Sequence, residues 1–461
     1  MAADLAGHVS GPVHAPGTDA YDATRTGMQR LDRHRPDAVV EAADAGDVRA
    51  AVAWAAKRGL RVAAQLTGHG LGAGMEGGVL VATRRMDGVR VDPDRRTAWV
   101  GAGATWQAVI EAAAPHGLAP LSGSAPSVGA VSYTLGGGVG LLARRYGFAA
   151  DHVRRVDLVT ADGRLREVTE GGDPDLFWAL RGGGAGAFGV VTGMEVGLFP
   201  VTRVYGGSLF LDVTAEPGAL EVWRRWTASV PEELTSGVSM LVYPDVEGVP
   251  GPMRGRQVAQ VSLAWSGPPE EGPKVVEPLR SAAPVLMDTL RELPYAESGA
   301  VFDEHHDPAG FRGRNVLVDG LDEGALAELT RMTGAAPFFC VVSLRHLGGA
   351  LARGPETANA VGHRGAAYSL TVMTFAGTGA SENPEEAEDT EAMRELREEA
   401  VALFDEHAVG RSFTLGFGPM DEQEVREVFD ARDRARLTRV RAAHDPRGMF
   451  HSNRPIPTGG W

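Results

Sequence analysis

The 461-residue chain carries 60 acidic and 45 basic side chains, a formal charge of −15, in an ordinary soluble-protein composition. That negative balance argues against a nucleic-acid partner, which needs concentrated positive charge, and no apolar run approaches the roughly 18 residues of a membrane-spanning helix. The single cysteine, Cys340, excludes an intrachain disulfide and a cysteine-built metal cluster. It sits in an apolar strand-like run and reads as a small buried hydrophobe. The first residues lack a basic region leading into an apolar one, so a cytoplasmic location is expected.

Folding begins near Asp37 with a strand, Ala38-Val39-Val40-Glu41. Asp47 then opens a helix with Val48, Ala51, Val52 and Ala55 on one face, closed by Gly59. A strand over 59–64 delivers Gln65-Leu66-Thr67-Gly68-His69-Gly70-Leu71-Gly72, and another follows at 78–82. This β-α-β unit sets a histidine between glycines at a strand end, where backbone can approach a ligand closely. A hairpin turning at Asp92-Pro93-Asp94-Arg95-Arg96 comes next, then a helix with Trp106, Val109, Ile110 and Ala113 at helical spacing.

The next stretch is Ser122-Gly123-Ser124-Ala125-Pro126-Ser127-Val128-Gly129-Ala130, followed by Leu135-Gly136-Gly137-Gly138-Val139-Gly140. Its glycines and small hydroxyl residues leave backbone N–H groups uncovered, as a pyrophosphate contact requires. The interleaved Val128, Leu135, Leu141 and Leu142 are unlike a flexible linker. A short aromatic helix from Asp175 then runs through Arg181 into a glycine series and a strand over 190–198. Arg181 suits either a phosphate or an internal carboxylate. Gly72–Gly77 and Gly184–Gly189 both satisfy GxGxxG, but each runs into a strand, where the nicotinamide fingerprint needs a helix. A Rossmann site is rejected.

From about Val204 to Arg411 the pattern changes to strands at 207–213, 237–243, 257–265, 338–344 and 367–375, with helices around 221–229, 325–332 and 388–407. This predicts a mostly antiparallel sheet in a separate α+β unit. The acidic stretch 381–389 reads as an exposed loop. Asp303-Glu304-His305-His306-Asp307 imitates a metal cluster, but adjacent histidines before a proline do not share a helix face, so no metal is expected. Arg345-His346 and Tyr368 are candidates for lining a pocket. The tail holds Ser412 to Gly418, a helical stretch over 422–443 and a closing segment from His444 to Asn453.

Taken together, the Gly-His turn, Pro126-Ser127-Val128-Gly129 with its glycine triplet, Arg144-Arg145-Tyr146-Gly147, the stretch 175–189 and the tail His444 to Asn453 carry a resemblance. The chain resembles the covalent-flavin oxidoreductases of the vanillyl-alcohol-oxidase (PCMH) type, in the berberine-bridge-enzyme-like group that includes 6-hydroxy-D-nicotine-oxidase-like members. The resemblance covers about 36–200 and 412–457. It implies an α+β fold: a two-lobed FAD-binding domain over 36–203 after an N-terminal extension of 1–35, a substrate domain over 204–411, and a tail from 412 to 461 completing the first domain. His69 matches the histidine that bonds to the 8α-methyl of the flavin. Other implied FAD contacts are Gln65, Leu66, Thr67, Gly68, Gly70, Leu71, Ser124, Ala125, Pro126, Val128, Gly129, Gly136, Gly137, Gly138, Gly140, Val191 and Asn453.

Four departures from that family matter. Ala125 stands where bicovalent members have a cysteine, so a single histidyl link is expected. Gln65 replaces a frequent arginine. Gly416 and Phe417 occupy the positions of an asparagine and a catalytic tyrosine, and Val139 that of another tyrosine. Phenylalanine cannot accept a proton. Any base must then come from the middle domain, with Tyr368, His346 and Tyr243 as candidates.

The expected function is an FAD-dependent oxidase of a small or medium-sized natural product in secondary metabolism. An alcohol, amine or hydroquinone would give hydride to flavin N5, with O₂ as acceptor, in a monomer or homodimer. The alternative is a flavin-containing protein that binds its ligand without net oxidation, as a drug-binding protein or a redox-neutral cyclase. No nucleophile-elbow context supports a hydrolase.

Overall fold

The computed structural model describes residues 1–281, 283–304, 307–376, 388–452 and 454–459. Among the described residues three sheets organise the chain, each with its own core.

The first sheet joins β1 (Val13–His14), β2 (Ala38–Glu41), β3 (Val62–Gln65) and β4 (Val79–Ala82) in the order β1-β2-β4-β3. Strands β2 and β3 both pair in parallel with β4, as right for a β-α-β crossover. The helix between them, Ala45–Arg58, is capped by Asp44 and closed by a left-handed Gly59. Asp47, expected as the opener, lies one turn inside. Its buried carboxylate accepts the N–H groups of Ser10, Gly11 and Ala43 and so fastens the N-terminal residues to this lobe. The extension 1–35 is therefore packed onto the first lobe, with Leu5 in its core.

The second sheet is antiparallel: β5 (Val89–Asp92), β6 (Thr97–Gly101), β7 (Val153–Val159), β8 (Leu165–Val168) and β9 (Val190–Gly197), ordered β5-β6-β9-β7-β8. The predicted hairpin closes with Asp92 opposite Thr97. Both GxGxxG segments do run into strands, β4 and β9.

The third sheet is the largest. Its strands are β10 (Arg203–Asp212), β11 (Leu234–Val242), β12 (Gln257–Trp265), β13 (Val285–Asp288), β14 (Arg291–Pro294), β15 (Gly310–Val318), β16 (Cys340–His346), β17 (Tyr368–Ala376) and β18 (Ala408–Gly410). They run antiparallel in the order β13-β10-β12-β11-β16-β17-β15-β18, with β14 also on β10. One face packs Leu209, Val238, Val261, Val316, Leu344 and Leu370 against helices Ala219–Thr227, Glu323–Gly334 and Glu391–Ala402. Cys340 is buried beneath this layer, and burial raises its thiol to about 11.

The tail returns to the first lobe. His451 donates its N–H to the Val62 carbonyl, and Val62 donates to Met449, so the tail forms an edge beside β3. The buried Asp445 carboxylate accepts the N–H groups of Met449 and Phe450 and fixes that turn. The predicted single helix over 422–443 is two, Glu422–Arg426 and Ala431–His444, because Asp430 caps the second.

Candidate functional site

Strand β3 ends at Gln65, and the chain then turns through Leu66, Thr67, Gly68 and His69. Gly68 has φ of +67° and lies against the Cα of Gly27, where a side chain would have no room. The segment 26–29 is laid over this turn: Met28 and Gln29 donate their N–H groups to the carbonyls of Thr67 and Gly68. The His69 imidazole meets the Thr67 hydroxyl through Nδ1 at 2.8 Å. Gln65 donates its amide to the Arg25 carbonyl, which leaves its own buried carbonyl oxygen without a partner.

The second loop comes up beside the first. A Cβ on Gly129 would touch the Leu66 side chain at 2.8 Å, so the Leu66 side chain packs directly on the Gly129 backbone there. Among the described residues the N–H groups of Leu66, Thr67, Gly68, Ser127 and Gly129 meet no acceptor. Thr67, His69 and Ser127 share the wall of one cavity of about 670 Å³ with Arg25, Arg30, Arg33 and Arg84. Unpaired N–H groups and cationic side chains around one hollow are the donor set a diphosphate requires.

The glycine triplet lies on the other side of the second lobe. Gly140 passes so close to the Ser122 carbonyl that a Cβ could not be accommodated. Tyr133 wedges its ring between Gly123 and Gly138, edge-on to Trp106 at 5.5 Å, and its buried hydroxyl has no partner. Gly136, Gly138 and Val139 border a narrow hollow with Leu317, Ser369 and Phe413. The glycine loop therefore meets the large sheet. Val191 is buried in β9 within the second lobe. Ser124 accepts a hydrogen bond from Arg345 at 3.1 Å, between Gly123 and the Ala125-Pro126 turn.

That contact identifies the inward face of the large sheet. Register places Arg345 beside Ser369 and Gly237, Ser343 beside Thr371 and Ser239, and Val341 beside Met373 and Leu241. These alternate residues point away from the helices, and Ser239, Leu241, Val341, Ser343, Arg345 and Met373 remain half-buried. Further along lie Phe311, Phe375, Phe339 and Phe417, linked by ring contacts of 5.2 to 5.9 Å. Phe417 pairs with Gly313 on β15, so the tail position expected to lack a base does lie over this face.

The three base candidates separate. Tyr368 points into the helix side, sharing a 2.7 Å hydrogen bond with Thr227. His346 stacks on Tyr368 at 5.6 Å, and burial, helped by the Arg144 charge, pushes its pKa down to about 3. Both therefore face away from Arg345 and Ser343. Tyr243 is on the inward face but packs at its rim with Phe210, Met253 and Val258.

Arg181 takes neither role considered for it. Its guanidinium donates to the carbonyls of Thr357 and Ala358, while burial lowers its pKa to about 10. Arg144 acts likewise on Leu347 and Leu234. These arginines tie the second lobe to the segment 347–358 and to the start of β11. No metal-ligand cluster occurs among the described residues; His305 and His306 lie outside them, as do Asn453 and most of the acidic stretch 381–389. No helix of the described residues is long and apolar enough to cross a membrane.

Comparison with known proteins agrees with this donor set. Residues 36–169 match the FAD binding domain family. (R)-6-hydroxynicotine oxidase of Paenarthrobacter nicotinovorans is 34% identical over 197 residues, 42% of this chain and 43% of that protein. Berberine bridge enzyme-like D-1 of Nicotiana tabacum is 32% identical over 238 residues, 50% of this chain and 41% of that one. The aligned stretches thus span less than half of either relative. The whole fold superposes on the crystal structure of 6-hydroxy-D-nicotine oxidase from Arthrobacter nicotinovorans with a TM-score of 0.83 at 22% identity, over 98% of both chains. The unpaired N–H groups, the cationic wall and the orphaned Gln65 and Tyr133 polar atoms fit FAD. Residues 36–169 thus carry an FAD binding domain, and the chain as a whole shares its fold with 6-hydroxy-D-nicotine oxidase.

Proposed function

We propose that the protein is an FAD-dependent oxidase of a small or medium-sized natural product, an alcohol, amine or hydroquinone, in secondary metabolism. The observation that carries this reading is the junction at Arg345 and Ser124, where the inward sheet face meets the second cofactor loop. FAD, when bound, takes up hydride at N5 and passes the electrons to O₂. His69 holds the flavin by a single histidyl link, since Ala125 offers no sulfur. Leu66 to Gly68 with Ser127 and Gly129 offer backbone donors to its diphosphate. The phenylalanine group seats an apolar or aromatic part of the substrate, while Ser239, Ser343 and Arg345 orient its polar part.

The inward face carries no carboxylate or imidazole on β11, β16 or β17, and the tail supplies Phe417; the carboxylate beside Arg345 is Glu304, held in an ion pair with it at 3.5 Å. A substrate that releases its proton readily, an amine or hydroquinone, matches this better than an unactivated alcohol. The same lack of a base favours a second reading, ligand binding without net oxidation. Anaerobic mixing of the yellow protein with a panel of alcohols, amines and hydroquinones separates them. Bleaching of the flavin band, with recovery and peroxide release on admitting air, is expected for at least one amine or hydroquinone. Tight binding of such compounds with the flavin still oxidised would favour the second reading.

A further inference from the structure

On β11 and β16 the inward face carries a single charged side chain, Arg345, with half-buried Ser343, Val341, Ser239 and Leu241 leading away from it. The guanidinium is held in place. It donates to Ser124 at 3.1 Å, lies over the Phe302 ring at 4.9 Å, and rides on a strand paired along both edges. Its acidic neighbour is placed differently. Glu304 follows the turn Tyr295–Val301, outside any strand, and comes no closer to Arg345 than 3.5 Å. Charge-assisted N–H···O bonds close to about 2.7–2.9 Å, and Arg353 with Glu232 and Arg397 with Asp389 do so at 2.7 Å. Glu304 is also the more exposed partner, 38% of its side chain against 18% for Arg345. The cation is built into the sheet, and its carboxylate is loosely held.

We infer that Arg345 anchors a carboxylate of the substrate, and that Glu304 is the resident counter-ion which this carboxylate displaces. The inference deepens the oxidase reading and rests on it for calling the ligand a substrate. A planar guanidinium accepts a carboxylate through two parallel bonds, a better fit than the long contact with Glu304. The exchange leaves no half-buried charge unpaired, because Glu304 is free to turn to solvent as the ligand arrives. Spacing along the strand adds a second requirement. Side chains of one face recur about every 7 Å, which puts Val341 about 13 Å and Phe339 about 20 Å from Arg345. Phe417 stands level with Val341, through Gly313 and Met373. The ligand class is an elongated molecule, with a carboxylate at one end and an apolar or aromatic group at the other. Ser343 and Ser239 lie between the two ends and offer hydroxyls to polar groups along its length.

The test titrates a phenyl-capped octanoate, its primary amide and the matching phenyl-capped octylamine calorimetrically into the purified protein. Arg345→Met and Glu304→Gln are compared with the parent, each first shown to unfold cooperatively. The parent should bind the carboxylate about tenfold or more tighter than the amide. Arg345→Met should erase that margin and leave the amide where it was. Glu304→Gln should tighten the carboxylate by about threefold or more, because its competitor is gone, with the amide again unmoved. A parent that binds carboxylate and amide alike, or a Glu304→Gln variant that fails to tighten the carboxylate, would overturn the inference. So would a parent that prefers the amine and loses that preference in Glu304→Gln, since Glu304 would then be the anchor. Should Arg345→Met not fold, the sign of the Glu304→Gln effect decides alone: a merely structural pair predicts weakening or no change. Flavin reduction separates this inference from the oxidase reading. The carboxylate pattern in a protein whose flavin no ligand reduces keeps the anchor and contradicts the oxidase. Reduction by ligands whose affinity ignores Arg345→Met contradicts the anchor alone.

Discussion

The His69 turn and the inward face of the large sheet are held together by the Arg345–Ser124 bond and by the arm at Met28 and Gln29, yet they are made by different rules. The turn works through backbone. Its donors are N–H groups, and glycines are there because neighbouring chain passes where a Cβ would be, as Gly27 does over Gly68. The sheet face works through side chains on every second residue, carried by a ladder that continues unchanged whatever those side chains are. Loss of a glycine in the loops should therefore undo the fold and the cofactor site together. A change on the sheet should tune the site or the core, depending only on its parity.

The largest effect is expected in the loops. Gly140→Ala must push the Ser122 carbonyl away, and a loss of roughly 3 kcal/mol or more, with loss of bound flavin, is predicted from thermal unfolding. Gly171→Ala, outside these loops, where a Cβ meets nothing within 4 Å, should be close to neutral and serves as the control.

On the sheet, parity predicts opposite outcomes for nearby residues. Arg345→Met should lower the rate of flavin reduction per unit substrate by about tenfold, while the melting curve shifts only by what the lost Ser124 hydrogen bond and Glu304 ion pair contribute. Tyr368→Phe should do the reverse. It removes the Thr227 hydrogen bond at a cost of about 1 kcal/mol and leaves flavin reduction unchanged. A slowed reduction in Tyr368→Phe would reverse the assignment of faces.

The smallest effect concerns acid. His346 is held neutral by burial, with its pKa near 3 in the fold against 6.5 when free, and His34 behaves in the same way. The unfolded chain binds these protons first, so stability is full above pH 6.5 and declines as pH falls toward 3. His346→Phe should flatten part of that decline in a series of melting temperatures from pH 7 to pH 4 and leave its upper end unchanged.

This contrast also explains what the amino-acid sequence reveals. The loops are legible because backbone sites leave glycines behind: the His69 turn and Pro126 to Gly129 come together at Leu66 and Gly129, and the triplet borders the large sheet. Register parity leaves no such mark. Arg345, His346 and Tyr368 all read as pocket residues, and only the pairing of β16 with β17 turns Arg345 inward and the other two toward the helices. Strand β15 escapes notice for a related reason. In Gly310-Phe311-Arg312-Gly313-Arg314-Asn315 two glycines and two arginines interrupt the alternation, because Arg312 pairs with Asp32 and Arg314 with Glu424 while Gly313 makes room for Phe417. Arg181 could not be assigned because its partners are backbone carbonyls, invisible in a list of side chains.

The central claim is that the His69 turn is the flavin's anchor, and one measurement addresses it directly. The purified protein and His69→Ala are each precipitated with acid, washed, and inspected for yellow colour in pellet and supernatant. The account predicts a yellow pellet from the parent and a colourless one from the variant, as a single histidyl link requires. Colour released from both would contradict the covalent anchor, and a parent with no flavin in either fraction would contradict the account as a whole.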